Sequence, residues 1–311
     1  MLWKPLVKGL ARAVFNPGGV PRIGLAMMVH NEEATIVLNI RHHARLGVDA
    51  FFVLNNGSTD TTRDLLKLLG NEFELHLFDN PEQAYKQALW MTKLNHKAAE
   101  SGCDLVLSLD ADEFYLPSDI NQDPSGLLKK LLFRRDSLVT VTRRNMLLDQ
   151  RALVPGYHFW QAEWMVHRPV HYPVSNQLQQ PNLSISLAPL SPKVINSPFG
   201  LMRMKGGNHR AKHCWSWLNA RQEDGLLIAH YPFRSRKEFF YNVTRRQRLL
   251  AAGASMGYHY KRWVKMLEHG CLEDDFGRQV FSQNHLRLLQ RMGIASPYPQ
   301  ARQLLEPLIA S

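Results

Sequence analysis

Leu105-Val106-Leu107-Ser108-Leu109-Asp110-Ala111-Asp112-Glu113 decides how the rest of this chain is read. The first five residues are a short apolar run that reads as a buried strand, and an acidic cluster begins at its carboxyl end. Asp110 and Asp112 flank one small residue, so both carboxylates can turn toward a single point beyond the strand. In open α/β sheets that end of a strand is where ligands bind.

Outward from this stretch, short apolar runs alternate with helical spacing, the sequence form of βαβ units around a parallel sheet. Ile23 to Val29 is apolar apart from Gly24 and predicts a strand covered on both faces. Asn31 is expected to cap the next helix, with Glu32 and Glu33 in its first turn. Phe51 to Leu54 predicts a second strand, followed by a turn at Asn55-Asn56-Gly57-Ser58 into a helix with Asp60 in its first turn. Phe73 to Phe78 predicts a third strand, and Ala84, Ala88, Met91, Leu94 and Ala98 a helix that Gly102 ends. Leu105 to Leu109 is then the fourth strand. Beyond residue 120 the pattern loosens, with strands expected at Leu138 to Val141, Leu201 to Lys205 and Leu226 to Ala229, and helical spacing from Ser235 onward.

The 311 residues are 45% hydrophobic and 21% charged, ordinary for a globular protein. No stretch approaches the roughly 18 to 20 apolar residues of a membrane span, and no secretory signal pattern is present, so a cytoplasmic location is expected. Cys103, Cys214 and Cys271 are far apart and odd in number, which argues against a disulfide framework. The sequons at Asn182 and Asn242 then read as chance. Residues 1–120 hold 11 Lys+Arg against 15 Asp+Glu, whereas residues 121–311 hold 27 against 12. That asymmetry suits an anionic ligand for the second part, with a merely solvating role as the equal alternative. The first twenty residues carry Trp3, Leu6, Val7, Leu10 and Val14 at helical spacing among Lys4, Lys8 and Arg12. They read either as a helix packed on the body of the protein or as one lying on an anionic membrane.

The acidic cluster suits a hard divalent cation. Mg²⁺ or Mn²⁺ is commonly held by one or two carboxylates plus substrate phosphates, and as a Lewis acid it offsets charge developing on a diphosphate leaving group. A solvated acidic turn is the bland alternative, because D-x-D tripeptides are common.

Met28-Val29-His30-Asn31-Glu32-Glu33, Val53-Leu54-Asn55-Asn56-Gly57-Ser58-Thr59-Asp60 and Leu107-Ser108-Leu109-Asp110-Ala111-Asp112-Glu113-Phe114 occur in this order. Together with His230-Tyr231-Pro232, Arg234-Ser235 and Glu238-Phe239, they resemble the family-two glycosyltransferases of the GT-A fold, in a bacterial branch with a D-A-D-E-F segment. The resemblance covers roughly residues 22 to 245. It implies a Rossmann-like, mostly parallel α/β sheet flanked by helices, an irregular acceptor-side insertion and a C-terminal helical segment. The implied organisation is a basic segment over 1–21, a nucleotide-sugar-binding half over 22–120, an acceptor-side half over 121–234 and a helical region over 235–311.

The resemblance further implies a nucleotide-diphosphate sugar donor, a glycan or lipid-linked acceptor hydroxyl, a divalent metal and inversion at the anomeric carbon. Carried over by position, Val29, His30, Asn31 and Glu32 lie by the nucleobase and ribose, as do Asn55, Asn56, Ser58 and Asp60 of the second motif. Asp110 and Ala111 face the ribose, Asp110 and Asp112 the metal. Asn55 departs from the commoner aspartate and leaves the nucleobase open. His209, in Gly206-Gly207-Asn208-His209, resembles a late histidine that completes the metal shell, and the alternative is a loop histidine bonded to backbone. Arg210 lies in a basic segment, Arg203 to Lys212, suited to a diphosphate or an anionic acceptor. The base that takes the acceptor proton is expected at Glu163 or Asp149. Rival readings are a phosphatase-like D-x-D hydrolase, for which Asp274-Asp275 would have to supply the later acidic pair, and a basic nucleic-acid or anionic-surface binder. The chain has no recognisable nucleic-acid-binding motif, so no nucleic acid is expected as partner.

Overall fold

Four apolar runs become β1 (Ile23–Val29), β2 (Ala50–Asn55), β3 (Leu75–Asp79) and β4 (Leu105–Leu109) in a computed structural model that describes residues 18–80, 86–119, 121–173, 184–253 and 256–309. They are joined by α1 (Ile36–Leu46), α2 (Thr62–Leu69) and α3 (Gln87–Glu100). The strands are parallel in the order β3-β2-β1-β4. β1, β2 and β4 are apolar along their length because both faces are covered. Leu25, Met27, Val53 and Leu107 pack with Ile36, Ile40 and Leu66 on one face, while Ala26, Phe52 and Val106 pack with Met91 and Leu94 on the other. The predicted fold class, a mostly parallel α/β sheet flanked by helices, is the one observed.

After β4 come β5 (Glu113–Pro117), α4 (Leu127–Leu131) and β6 (Leu138–Asp149). The chain then passes through β7 (Trp164–Val166) before β8 (Lys193–Asn196), β9 (Leu201–Met204), β10 (Ala211–His213) and β11 (Ala220–His230). β8 joins the sheet antiparallel to β4, and β6 pairs antiparallel with β8. β9 and β10 form a separate two-stranded hairpin.

The chain divides into two compact units, Met1–Arg143 with Ser191–Ile228 and Arg144–Leu190 with Ala229–Ser311. The second contains the later part of β6, which pairs with β7 and with β12 (Val280–Phe281), while β13 (Ala295–Pro297) pairs with β7. Its helices are α5 (Arg236–Ala251), α6 (Tyr258–Glu268), α7 (Leu272–Arg278), α8 (Gln283–Arg291) and α9 (Gln300–Leu305). Phe233, Phe239, Trp263 and Phe276 form one of its apolar clusters. Beside it, buried Asp275 accepts from Arg262 at 2.7 and 3.0 Å and from Trp263 Nε1 at 2.8 Å. Asp275 is thus the buried anchor of a helix, not half of a catalytic acidic pair.

Several boundaries differ from expectation for identifiable reasons. α1 starts at Ile36 after Thr35, with no acid in its first turn. Asn31 is not its cap but sits at φ 54°, the left-handed region that asparagine tolerates. α2 starts at Thr62 and carries Asp64, not Asp60, in its first turn. β6 runs on to Asp149 because Arg143 and Arg144, which interrupt its apolar pattern, have partners in Glu113 and His167. The basic amphipathic segment lies outside the described residues through residue 17, as do Ala84 and the sequon asparagine Asn182. Among the described residues no helix is long and apolar enough to cross a membrane. All three cysteines are free.

The buried face of α1 is polar where it meets β5. Asn39 Nδ2 donates to the carbonyls of Ala111 (3.0 Å) and Glu113 (2.9 Å), and His42 Nε2 donates to that of Tyr115 (2.6 Å). His43 Nε2 accepts from the Tyr115 amide (3.2 Å), so its Nδ1 carries the proton bonded to Asn39 O (2.8 Å). Burial holds the His42 pKa down at about 4 and pushes that of His43 down as well. Both rings are therefore neutral in the fold and protonatable once it opens. Such groups stabilise the fold above the unfolded histidine pKa of about 6.5 and lose that contribution as pH falls toward the folded value. Chemical denaturation is expected to show unfolding free energy dropping between pH 6.5 and 4, by ~3 kcal/mol from His42 and further from His43. His42→Gln should flatten that slope.

Candidate functional site

Two loops at the carboxyl ends of β1 and β2 are knitted together. The Asn31 amide donates to Ser58 Oγ (3.0 Å), Asn31 Oδ1 accepts from the Thr59 amide (2.7 Å), and the Glu32 amide donates to Thr62 Oγ1 (2.7 Å). The Glu33 carboxylate accepts from Thr61 Oγ1 (2.7 Å), and Asp60 accepts from the Glu33 amide (3.3 Å). His30 Nδ1 donates to the Asn56 carbonyl (2.9 Å), whose amide donates back to Val29 O (2.8 Å). The eight residues expected to surround the nucleotide, from Val29 to Asp60, are thus brought to one ledge at the edge of the parallel sheet.

Asn55 has a specific partner. Its amide donates to Asp79 Oδ1 at the end of β3 (2.8 Å), and its Oδ1 accepts from the Ser58 amide (3.0 Å). Arg63 clamps Asp79 with Nε and Nη2 at 3.0 and 2.8 Å. Hydrogen bonds from Arg63 and Asn55 hold the Asp79 carboxyl below its ordinary pKa. A carboxylate therefore stands beside Asn55 from the neighbouring strand. Sequence reading passed over Asp79, because nothing before the sheet is assembled says that the ends of β2 and β3 are neighbours.

At the end of β4 the acidic turn is wired into a buried ionic network. Lys193, the first residue of β8, is fully buried, and its Nζ reaches Asp110 Oδ2 (2.6 Å), Glu113 Oε2 (3.0 Å) and the Gly207 carbonyl (2.9 Å). Glu113, also fully buried, meets Arg143 Nη1 through Oε1 (2.5 Å) and accepts from the Asp110 amide through Oε2 (3.0 Å). Burial alone would lower the Lys193 pKa, but Asp110 and Glu113 outweigh it and the net displacement is upward. Two carboxylates and two cations make the set neutral. Gln87 reaches Asp110 Oδ1 at 3.3 Å and also accepts from the Gly207 amide at 2.9 Å.

Asp112 is half-buried in the turn between β4 and β5. His209 Nδ1 donates to the Pro192 carbonyl at 3.0 Å. Burial, then the charges of Lys193 and Arg143, push its pKa down to about 4, so it is a neutral imidazole with its proton on Nδ1. Gly207, at φ +72°, lies against that ring, and a Cβ there would meet it at 2.6 Å. Among the described residues no three His, Cys, Asp or Glu side chains form a metal-holding group, so Asp110, Asp112 and His209 are not gathered as a three-ligand shell. The donor set suits a cation completed by ligand oxygens: Asp112 together with Asp110, one oxygen of which Lys193 already holds. Arg210 is exposed beside this loop.

Asp149 and Glu163 lie together in the second unit. Asp149 is buried, and Arg151 takes both of its oxygens at 2.9 and 2.7 Å. Its backbone role is to start the 3-10 turn Gln150–Leu153. Both oxygens of this carboxylate are thus engaged by Arg151. Glu163 is partly open, between Arg151 (3.2 Å) and Arg302 (3.1 Å). His230 Nδ1 meets Asn145 Oδ1 (2.7 Å) in the same unit.

No protein-family model matches the chain, and no curated protein matches it. Among solved structures it is similar to TarS 1–349 of S. aureus in complex with UDP-GlcNAc, at 14% identity over 93% of this chain and 80% of that one, with a TM-score of 0.40. The match to the UDP complex of the same protein spans 57% of this chain and 47% of that one, at 12% identity and a TM-score of 0.34. A third likeness is to glucosyl-3-phosphoglycerate synthase from Mycobacterium tuberculosis in complex with Mn²⁺, UDP and glucosyl-3-phosphoglycerate. There the identity is 22% over 77% of this chain and 79% of that one, with a TM-score of 0.36. Likeness at these levels carries no argument about activity.

Proposed function

We propose that this protein is a glycosyltransferase of the GT-A type that moves a sugar from a nucleotide-diphosphate donor to a hydroxyl of a glycan or lipid-linked acceptor, with a divalent metal and inversion. The observation that carries this reading is the Asp110-Ala111-Asp112 turn at the carboxyl end of β4, beside the ledge after β1 and β2 in the strand order β3-β2-β1-β4. In parallel α/β sheets the ends of adjacent strands form the nucleotide crevice. The motif resemblance over residues 22 to 245 points to the same chemistry. The phosphatase-like alternative loses support with Asp275, whose carboxylate is consumed by Arg262 and Trp263.

In this reading the ledge from Val29 to Asp60 receives the nucleoside, with Asn55 held in place by Asp79. Asp110, oriented by Lys193 and Gln87, accepts from the ribose and would share in holding the metal. Asp112 would be the principal metal ligand, with neutral His209 and cationic Arg210 toward the diphosphate. When bound, the metal offsets the negative charge that develops on the diphosphate as the sugar leaves. Glu163, placed between Arg151 and Arg302, takes the acceptor proton. Cytoplasmic location, peripheral at the membrane face, and a place in surface polysaccharide synthesis belong to the same reading.

Release of nucleoside diphosphate from a panel of UDP-, GDP- and dTDP-sugars is expected only with Mn²⁺ or Mg²⁺. Asp112→Asn should cut it by roughly 100-fold or more while leaving the thermal melt unchanged. Full turnover in chelator, or in the variant, would remove the metal role. Glu163→Gln should lower kcat by about 100-fold or more with the donor KM held, the mark of a lost acceptor base. A change confined to donor KM would place Glu163 elsewhere in the chemistry.

A further inference from the structure

The hairpin of β9 and β10 presents one charged face. Met204 and Ala211 are register partners that pack toward Met91 and Leu94 of α3, and Thr92 Oγ1 accepts from the Met204 amide at 2.9 Å. The opposite side-chain parity belongs to Arg203 and its cross-strand partner Lys212, and to Lys205, whose amide donates to the Arg210 carbonyl (2.8 Å). All four cations are exposed, and among the described residues none has an ion-pair partner. No Asp or Glu occurs between Glu163 and Glu223 to balance them.

The same hairpin and the loop that follows it expose large apolar groups. Trp217 is 79% exposed, Met202 52% and Leu218 46%. Trp215, by contrast, is packed onto Gly200, where a Cβ would meet its ring at 3.0 Å. Four unpaired cations alone would suit any polyanion. Cations beside an indole, a thioether and an isobutyl group left in water suit one surface in particular: anionic headgroups above an acyl boundary into which Trp and Leu can insert.

We propose that the β9–β10 hairpin and the 214–219 loop are a docking surface for an anionic lipid bilayer. Arg203, Lys205 and Lys212 neutralise headgroups while Trp217, with Leu218 and Met202, enters the interface. The hairpin turn carries Gly207, whose carbonyl accepts from Lys193. On the proposed transfer reading, docking would bring the Asp110 turn to the plane where a lipid-linked acceptor lies. The vesicle measurements do not depend on that reading.

The full chain is sedimented with vesicles of phosphatidylglycerol mixed into phosphatidylcholine, and with phosphatidylcholine alone. Binding is expected only to the anionic vesicles, weakening as salt rises, with Trp fluorescence quenched by brominated acyl chains. Arg203→Gln with Lys212→Gln should weaken partition roughly 30-fold, from the contribution of two basic residues near a charged surface. Trp217→Ser should lose most of the quenching and the salt-resistant part of binding. Circular dichroism melts, expected to be unchanged because these side chains are exposed, separate loss of docking from loss of fold. Equal binding to both vesicle types, or wild-type binding in both variants, would overturn the proposal. So would a Trp217→Ser protein that binds normally while a soluble oligonucleotide displaces the wild type, which would assign the face to a soluble polyanion.

Discussion

The contact on which the site depends is the buried ammonium of Lys193 between Asp110 and Glu113. Taking a lysine out of water costs several kcal/mol unless charge and hydrogen bonds replace its hydration. Here two carboxylates and a backbone carbonyl do so, and Arg143 supplies the second cation that keeps the set neutral. The network joins β4, β5, β6 and β8 at the point where the parallel strands give way to antiparallel ones. It also distinguishes two carboxylates of the acidic turn: Asp110 is shared between Lys193 and the longer contact from Gln87, whereas Glu113 is buried between Lys193 and Arg143.

Around this network the supporting side chains are polar groups on otherwise apolar faces. Asn39, His42 and His43 lie on the inward face of α1 and hold the backbone of Ala111, Glu113 and Tyr115. The turn is thereby preorganised by neutral hydrogen bonds from one side and by ions from the other. The ledge formed by Asn31, Ser58, Thr59 and Thr62 is built in the same way, from short polar side chains bonded to backbone amides.

The three motifs after β1, β2 and β4 all lie in the first unit, because short segments after parallel strands converge whatever the intervening helices do, whereas the motif from His230 to Phe239 lies in the second. His209 and Asp149 show where that logic stops. Each is a plausible ligand or base by residue type, yet His209 is bonded to Pro192 through one nitrogen with Gly207 packed on the ring, and Asp149 is fully occupied by Arg151. Asp79, Lys193 and Arg143 were passed over for the converse reason. Their significance comes from neighbours that are 24, 83 and 30 positions away in sequence.

The sequence by itself determined the four parallel strands, the helices between them and the address of Asp110-Ala111-Asp112-Glu113. Periods of two and 3.6 residues and apolar runs are local properties, and the right-handed βαβ connection leaves few ways to assemble them. Only the tertiary structure decided the ionic state of that address. Whether a carboxylate is free, half held or buried in a salt bridge depends on which distant cation the fold brings within 3 Å, and no local pattern records that.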